Sequence, residues 1–218
     1  MAVCIGVSYN LKVFQMKKSI FLTLLVFSVA ILFVSCSKNS GGKLIYSCNF
    51  DGTEIPAEFE KEGGEWFVKD GTLRSTRAMN KDLILNKALP VNAIIEVDMI
   101  SHSKTVDIKF RAWGDKRADM HDGAYHFILG GWGNKISTIA PLGEHDKRRV
   151  QRKAGLTPEK WYKVKVIRNK GSIDLYLDGE KYISYEDSEP LDKNYYKYFS
   201  FANWKTDCEF DNLKIYEL

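Results

Sequence analysis

From about residue 44 to the end, hydrophobic and polar residues alternate with period two along most of the chain. That pattern marks strands with one buried face. In "AIIEVDMI" (93–100), Ala93, Ile95, Val97 and Met99 fall on one side, and Glu96 and Asp98 on the other. In "TVDIKFRAW" (105–113), Val106, Ile108, Phe110 and Ala112 oppose Asp107, Lys109, Arg111 and Trp113. "YKVKVIR" (162–168), "SIDLYL" (172–177) and "KYISYE" (181–186) continue the alternation, and helical periodicity is scarce. Asp70-Gly71 and Asp178-Gly179 separate strand-like runs and supply the positive φ angles of tight hairpins. Strand after strand at about 8–12-residue spacing predicts an all-β, two-sheet antiparallel sandwich.

The first 43 residues stand apart. Lys17 and Lys18 follow Met16, and Ile20 to Val34 form an apolar run broken only by Thr23 and Ser28. A positive start, an apolar stretch of that length and a small residue before Cys36 describe an export signal. The run is shorter than the roughly 20 residues of a spanning helix. "FVSC" resembles the lipobox of bacterial lipoproteins, which implies a lipid on Cys36, although Phe33 stands where Leu is usual. Met16 is the expected true start. The predicted organisation is a leader over 1–35, a flexible tether over 36–43 and a single domain over 44–218. The leader's Lys12, Lys17 and Lys18 have no acidic counterpart, so the formal charge of +4 falls by these three to +1 in the remainder. A nearly neutral domain argues against bulk attraction to nucleic acid. The expected location is a membrane-anchored lipoprotein facing the periplasm or the cell surface, in the manner of polysaccharide-utilisation proteins of the outer membrane.

"GGEWFVKDGTLRS", "WYKVKVIRNKGSIDLYLDGEKYISYED" and "FSFANWKTDCEFDNLKIYEL" resemble elements of concanavalin A-like lectin/glucanase jelly rolls. That group includes laminin-G-like domains and the 3-keto-disaccharide hydrolase-like family. The resemblance covers nearly the whole region after the tether and rests on structural motifs. It implies a jelly roll with one concave sheet across which glycans lie. In a jelly roll the first and last strands can be neighbours, so Cys48 and Cys208 are expected either to form a disulfide or to be two separately buried thiols. Laminarinase-type enzymes of this fold carry E-x-D-x-E, whereas here Ile100 or Ser101 follows Glu96 and Asp98 in place of the second glutamate. A retaining mechanism needs both carboxyl groups, so these two are expected on a solvated strand face.

Candidate chemistry lies elsewhere. Asp107, Lys109, Arg111 and Trp113 alternate on the polar side of one strand, where they can hydrogen-bond sugar hydroxyls and stack under a pyranose ring. The competing expectation is an outer face with an ordinary ion pair. Asp115, Asp119 and Asp122 offer oxygens to Ca²⁺, at a spacing that matches no defined loop; no other cofactor or metal is expected. "AYHFILGGWGN" brings Tyr125, Trp132 and Asn134 to a Gly130-Gly131 turn. A connection of about 25 residues follows, unusual unless functional. Its Arg148 and Arg149 suit an anionic glycan, or else solvate a surface loop. His145 is the foremost general-base candidate, with His121, His126 and Arg111 as further catalytic candidates. Trp204 offers a second stacking ring or a core contact. Three functions follow: a hydrolase or lyase acting on glycans, a non-catalytic carbohydrate-binding lipoprotein, and a protein-interaction module.

Overall fold

Both Asp-Gly turns fold as expected. Asp70 and Gly71, and Asp178 and Gly179, take positive φ values and close hairpins. The first joins β3 (Trp66–Lys69) to β4 (Thr72–Ser75), and the second joins β12 (Ser172–Leu177) to β13 (Glu180–Glu186). The computed structural model describes residues 41–117 and 119–218; the leader and Cys36 lie outside them. Among the described residues no helix is long and apolar enough to cross a membrane.

Two antiparallel sheets make the domain. The eight-stranded sheet runs β13, β12, β11 (Tyr162–Asn169), β6 (Ala93–Ser101), β15 (Cys208–Glu217), β4, β3, with β1 (Lys43–Cys48) also paired to β15. The seven-stranded sheet runs β10 (Val150–Lys153), β9 (Ile136–Pro141), β8 (Tyr125–Gly130), β7 (Ile108–Gly114), β14 (Tyr198–Asn203), β5 (Leu83–Leu85), β2 (Phe59–Lys61). This is the all-β two-sheet sandwich that the alternation predicts, in the jelly-roll form that the resemblance implies. The inward set of each strand forms one core: Ile95, Val97 and Met99 from β6, Phe110 from β7, Phe127 from β8. Phe201 of β14 meets Phe210 of β15 with ring centroids 4.7 Å apart, joining the two sheets.

Three expectations need correction. Cys48 and Cys208 are free thiols. Cys48 stands opposite Leu213, while Cys208, at the start of the same strand and several residues before Leu213, pairs with Ser75 and Ser101, out of disulfide reach. The long connection after Gly131 is also not structureless, because β9 and β10 form a hairpin within it and extend the seven-stranded sheet. Trp113, finally, is core. Between Arg111 and Gly114, β7 carries one residue more than β14 does between Ser200 and Tyr198. Trp113 takes φ 50° at this bulge, so its side chain turns inward instead of following the alternation. It is fully buried, donates from Nε1 to the Pro90 carbonyl at 2.8 Å, and has the Arg168 guanidinium 5.0 Å from its ring centroid.

Candidate functional site

Lys109 and Arg111 on β7, His126 and Ile128 on β8 and Ser200 on β14 point away from the shared core, yet all five are buried. Loops fold over this face of the seven-stranded sheet. The 115–124 loop contributes Met120 and Ala124, which pack on Ile84. A carboxylate, Asp82, is buried there between the Arg111 Nη1 donor and the Ser200 hydroxyl, 2.5 Å away. A buried cation of this kind is tolerated only with such partners.

Where the loops part, a cavity of about 630 Å³ remains, within the range of small-molecule sites. Asp107 and Lys109 form part of its lining, with His121 and Glu144 beside them and Trp132, His145 and Trp204 at its walls. The turn that presents Trp132 starts at Gly130, whose φ is 63°. A Cβ at Gly130 would lie 2.7 Å from Asn134 Oδ1 and 2.9 Å from Val106 Cγ1, so the turn requires glycine. Trp132 itself takes φ 52°, a left-handed conformation that costs a non-glycine residue energy. The Arg149 guanidinium lies 5.3 Å from the Trp132 ring centroid, and the His145 ring meets it edge-on at 5.8 Å. Trp204 is 40% exposed, so its ring remains available to a ligand.

Lys109 organises the charges. Its Nζ donates to Glu144 Oε1 at 2.9 Å and to Asn80 Oδ1 at 3.2 Å. Asp107 Oδ1 lies 3.5 Å from the same ammonium, at ion-pair range but too far for a well-formed hydrogen bond. That oxygen is buried without a hydrogen-bond partner. Burial raises the Asp107 carboxyl above its ordinary value, and Lys109 only partly opposes the rise. Burial pushes Glu144 up as well, but the Lys109 and Arg111 charges outweigh it and hold this carboxyl below its ordinary value. The Arg111 Nη2 is 3.8 Å from Glu144 Oε1 and makes no hydrogen bond. The two carboxyls on one ammonium are thus pushed apart in acidity.

The imidazoles follow from their donors. An ammonium only donates, so Asn80 turns its Oδ1 to Lys109 and its Nδ2 to His121 Nε2, 3.1 Å away. His121 Nε2 therefore accepts, and Nδ1 carries the hydrogen toward Asp122 Oδ1 at 3.0 Å. By the same rule, Arg149 Nη1 donates to His145 Nδ1 at 3.4 Å. His126 Nδ1 accepts from Arg111 Nε at 3.2 Å, and burial with the nearby Arg111 charge holds His126 well below its ordinary value.

Of the residues expected from sequence, Asp107, Lys109, His121, Trp132, His145 and Trp204 converge on this cavity. Others do not. Arg111 is buried beneath it, holding Asp82, and does not line it. Trp113 belongs to the core, as does Tyr125, whose hydroxyl donates to Asp187 Oδ2 at 2.7 Å. Asn134 clamps the loop, donating to the Leu156 carbonyl at 2.7 Å and accepting from its N–H at 2.8 Å. Arg148 is held by Asp146, Asp187 and Glu189, and Arg149 by the Glu144 carbonyl at 2.8 Å. Arg148 is thus neutralised by carboxylates, whereas Arg149 has no ion pair among the described residues and lies against Trp132. Glu96 and Asp98 lie on the outer face of the other sheet, beside Lys165 and Asn212. The loop aspartates bond locally, Asp115 to Arg117 and Asp119 to the His121 N–H. Among the described residues no group of three His, Cys, Asp or Glu is arranged to hold a metal ion. The residue the sequence did not single out is Glu144, which reads there as a counter-charge within a basic run; Asn80 likewise stands in a segment with no pattern.

Residues 47–216 match the family model described as a 3-keto-alpha-glucoside-1,2-lyase-like domain. No curated protein matches the chain in sequence. Among solved structures, a carbohydrate binding module, CBM66 from Bacillus subtilis, superposes with TM-score 0.59 at 13% identity, covering 76% of this chain and 98% of that one. A laminarinase from Flavobacterium sp. UMI-01 gives 0.61 at 11% identity, covering 80% and 100%. An endo-beta-1,3-glucanase from Pyrococcus furiosus gives 0.60 at 13% identity, covering 81% and 94%. At these identities the likeness is one of fold.

Proposed function

The chain belongs to the 3-keto-alpha-glucoside-1,2-lyase-like family, and on that premise we propose that its cavity binds a 3-keto-glucoside and cleaves it by elimination. A ketone at C3 acidifies the hydrogen on C2. Removing that proton lets the electron pair form a C1=C2 double bond and expel the oxygen on C1. Such a step needs a positioned base, a proton donor for the leaving oxygen and a shielded site. The observation that carries the proposal is the cavity of about 630 Å³, walled by Trp132 and Trp204 and floored by Asp107, Lys109 and Glu144. Indole faces match the apolar faces of a sugar ring, and the polar floor fixes its orientation.

The test is incubation with a panel of 3-keto-glucosides and their unoxidised parents, reading products by mass spectrometry and binding by tryptophan fluorescence. Conversion of the keto sugars alone is expected. Trp132→Ala is expected to weaken binding by about 1–3 kcal/mol, the scale of one planar ring stacked on an aromatic side chain. Affinity without turnover would reduce the protein to a binding module, and absence of both would overturn the proposal. The same proposal has the domain exported and tethered through a lipid on Cys36. The apolar run Ile20 to Val34, closed by that cysteine, supports this. Palmitate labelling that is present in the full chain and lost in Cys36→Ser is the expected result; no label in the parent would remove the anchor.

A further inference from the structure

We propose that Glu144 and Asp107, joined through Lys109, are the base and the acid of the cleavage, in place of the cavity's histidines. The proposal rests on the eliminative function above and names the groups that carry it out. His121 is excluded by its own hydrogen bonds: its Nε2 accepts from Asn80 and its Nδ1 holds the hydrogen toward Asp122, so it offers no free base to a substrate. His145 stands at the cavity wall, with only a long 3.4 Å contact from Arg149 Nη1 to its Nδ1 and no carboxylate partner among the described residues to orient it.

The carboxyls are differently placed. Glu144 engages Lys109 through Oε1 only, and its Oε2 has no partner among the described residues. Asp107 Oδ1 is buried and has no hydrogen-bond partner among the described residues. Both residues line the cavity. A second, independent feature points to the same place: Arg111, fully buried, has Nη2 unbonded and 3.8 Å from Glu144 Oε1. A charge on Glu144 thus faces two cations, Lys109 and Arg111, whereas Asp107 faces one and is the more easily protonated.

The step balances. The C2–H bond breaks and its proton passes to Glu144 Oε2. The electron pair becomes the C1=C2 bond, the C1–O bond breaks, and the departing oxygen takes the proton of Asp107. No oxidant or reductant is needed. After release, Asp107 regains a proton from solvent and Glu144 loses one to it.

The experiment separates the two roles by following two events in the full chain. Exchange of the C2 hydrogen in D₂O, read by NMR, reports the base, and release of the aglycone reports the acid. Two 3-keto-glucosides are compared, one with an alkyl aglycone and one with a 4-nitrophenyl aglycone. Glu144→Gln is expected to lower both exchange and release by about 100-fold or more with binding retained. Glu144→Asp, which keeps the carboxylate, is expected to recover part of the rate. Asp107→Asn is expected to keep exchange and to slow release of the alkyl aglycone by a similar factor, with release of the nitrophenyl aglycone nearly unchanged. Thermal unfolding of each variant, in the presence and absence of sugar, checks that it folds and binds. Folded Glu144→Gln that exchanges at the parent rate would overturn the assignment, as would Asp107→Asn that slows both aglycones equally. A parent protein inert toward every keto sugar would instead overturn the eliminative function itself, so the two failures are distinct.

Discussion

Lys109 under the cavity and His102 beside the eight-stranded sheet each lie between two carboxylates, and the contrast between them separates a site from a scaffold. His102 Nδ1 is 2.6 Å from Glu159 Oε2 and its Nε2 is 2.8 Å from Glu209 Oε1. Carboxylates only accept, so both ring nitrogens donate and the ring is an imidazolium. Glu209 is completed by Arg74 Nη2 at 3.0 Å and by the Thr72 hydroxyl at 2.7 Å. Both oxygens of Glu209 and both nitrogens of His102 are paired. Around Lys109, by contrast, Asp107 Oδ1 and Arg111 Nη2 are buried without hydrogen-bond partners. Native proteins rarely leave such groups unmatched, and a pair of them beneath a cavity calls for an explanation. The His102 cluster pairs its carboxylate and imidazole atoms within the protein and leaves only Arg74 Nε unpartnered, whereas the Lys109 cluster leaves both a carboxylate oxygen and a guanidinium nitrogen unmatched.

The largest effect is expected at Lys109. Lys109→Met removes the charge that lets Asp107 and Glu144 share a buried floor, and breaking a buried ionic cluster by deleting one member costs about 3–5 kcal/mol. Urea unfolding at pH 8 should show that loss. It should shrink at acidic pH, where the carboxyls take up protons and no longer repel. A loss below about 1 kcal/mol at pH 8 would mean that Lys109 does not restrain the pair, and the contrast with His102 would collapse.

Glu209→Gln comes next. The side chain is only 7% exposed, and the amide keeps its shape but gives up the charge that His102 and Arg74 meet. Hydrogen bonds to a charged group are worth about 1.5–3 kcal/mol, so a loss of about 2 kcal/mol is expected by the same measurement. Catalysis and sugar binding should be untouched, because Glu209 belongs to the other sheet. Altered binding would show that the two clusters are coupled and would blunt the distinction.

The two clusters were unequally legible in the sequence, for physical reasons. Alternation and the Asp-Gly turns specify the strands directly, because burial of one face and positive φ are local demands. The polar face of β7 follows from the same rule and carries Lys109 to the cavity, while Asp107 stands just before the strand at φ 45° and reaches the cavity from there. The rule fails at Trp113, because a bulge breaks the period and nothing in "FRAWGD" announces one. Tyr125 is inward by the alternation of "YHFIL", which puts it with Phe127 rather than with His126. Arg148 is neutralised by Asp146, two residues away, a local pairing that the count of cations in the loop conceals. Glu144 and Asn80 reach Lys109 from loops 35 and 29 residues away in sequence, and no periodicity links such positions. His102, Glu159 and Glu209 are joined across three segments in the same way.

The smallest effect, and the finest probe of the contrast, is the pH dependence carried by His102. Burial lowers its affinity for a proton, but Glu159 and Glu209 override that and raise it above the ordinary value of 6.5. The folded protein therefore binds this proton more tightly than the unfolded chain does. Its stabilisation is fully present below pH 6.5 and is lost as pH rises through the higher folded value. Because Glu159 is 63% exposed, solvent screens its share, and a contribution of no more than about 1 kcal/mol is expected. Unfolding free energies of the parent and of His102→Gln, measured across pH 5 to 9, should differ most at the acid end and converge at the alkaline end. The difference is expected to be the same with and without a bound sugar, since no residue of the His102 cluster lines the cavity. A pH profile for His102→Gln that runs parallel to the parent's would remove the imidazolium from the account of the scaffold. It would leave the buried, incomplete charges under the cavity as the feature to be explained alone.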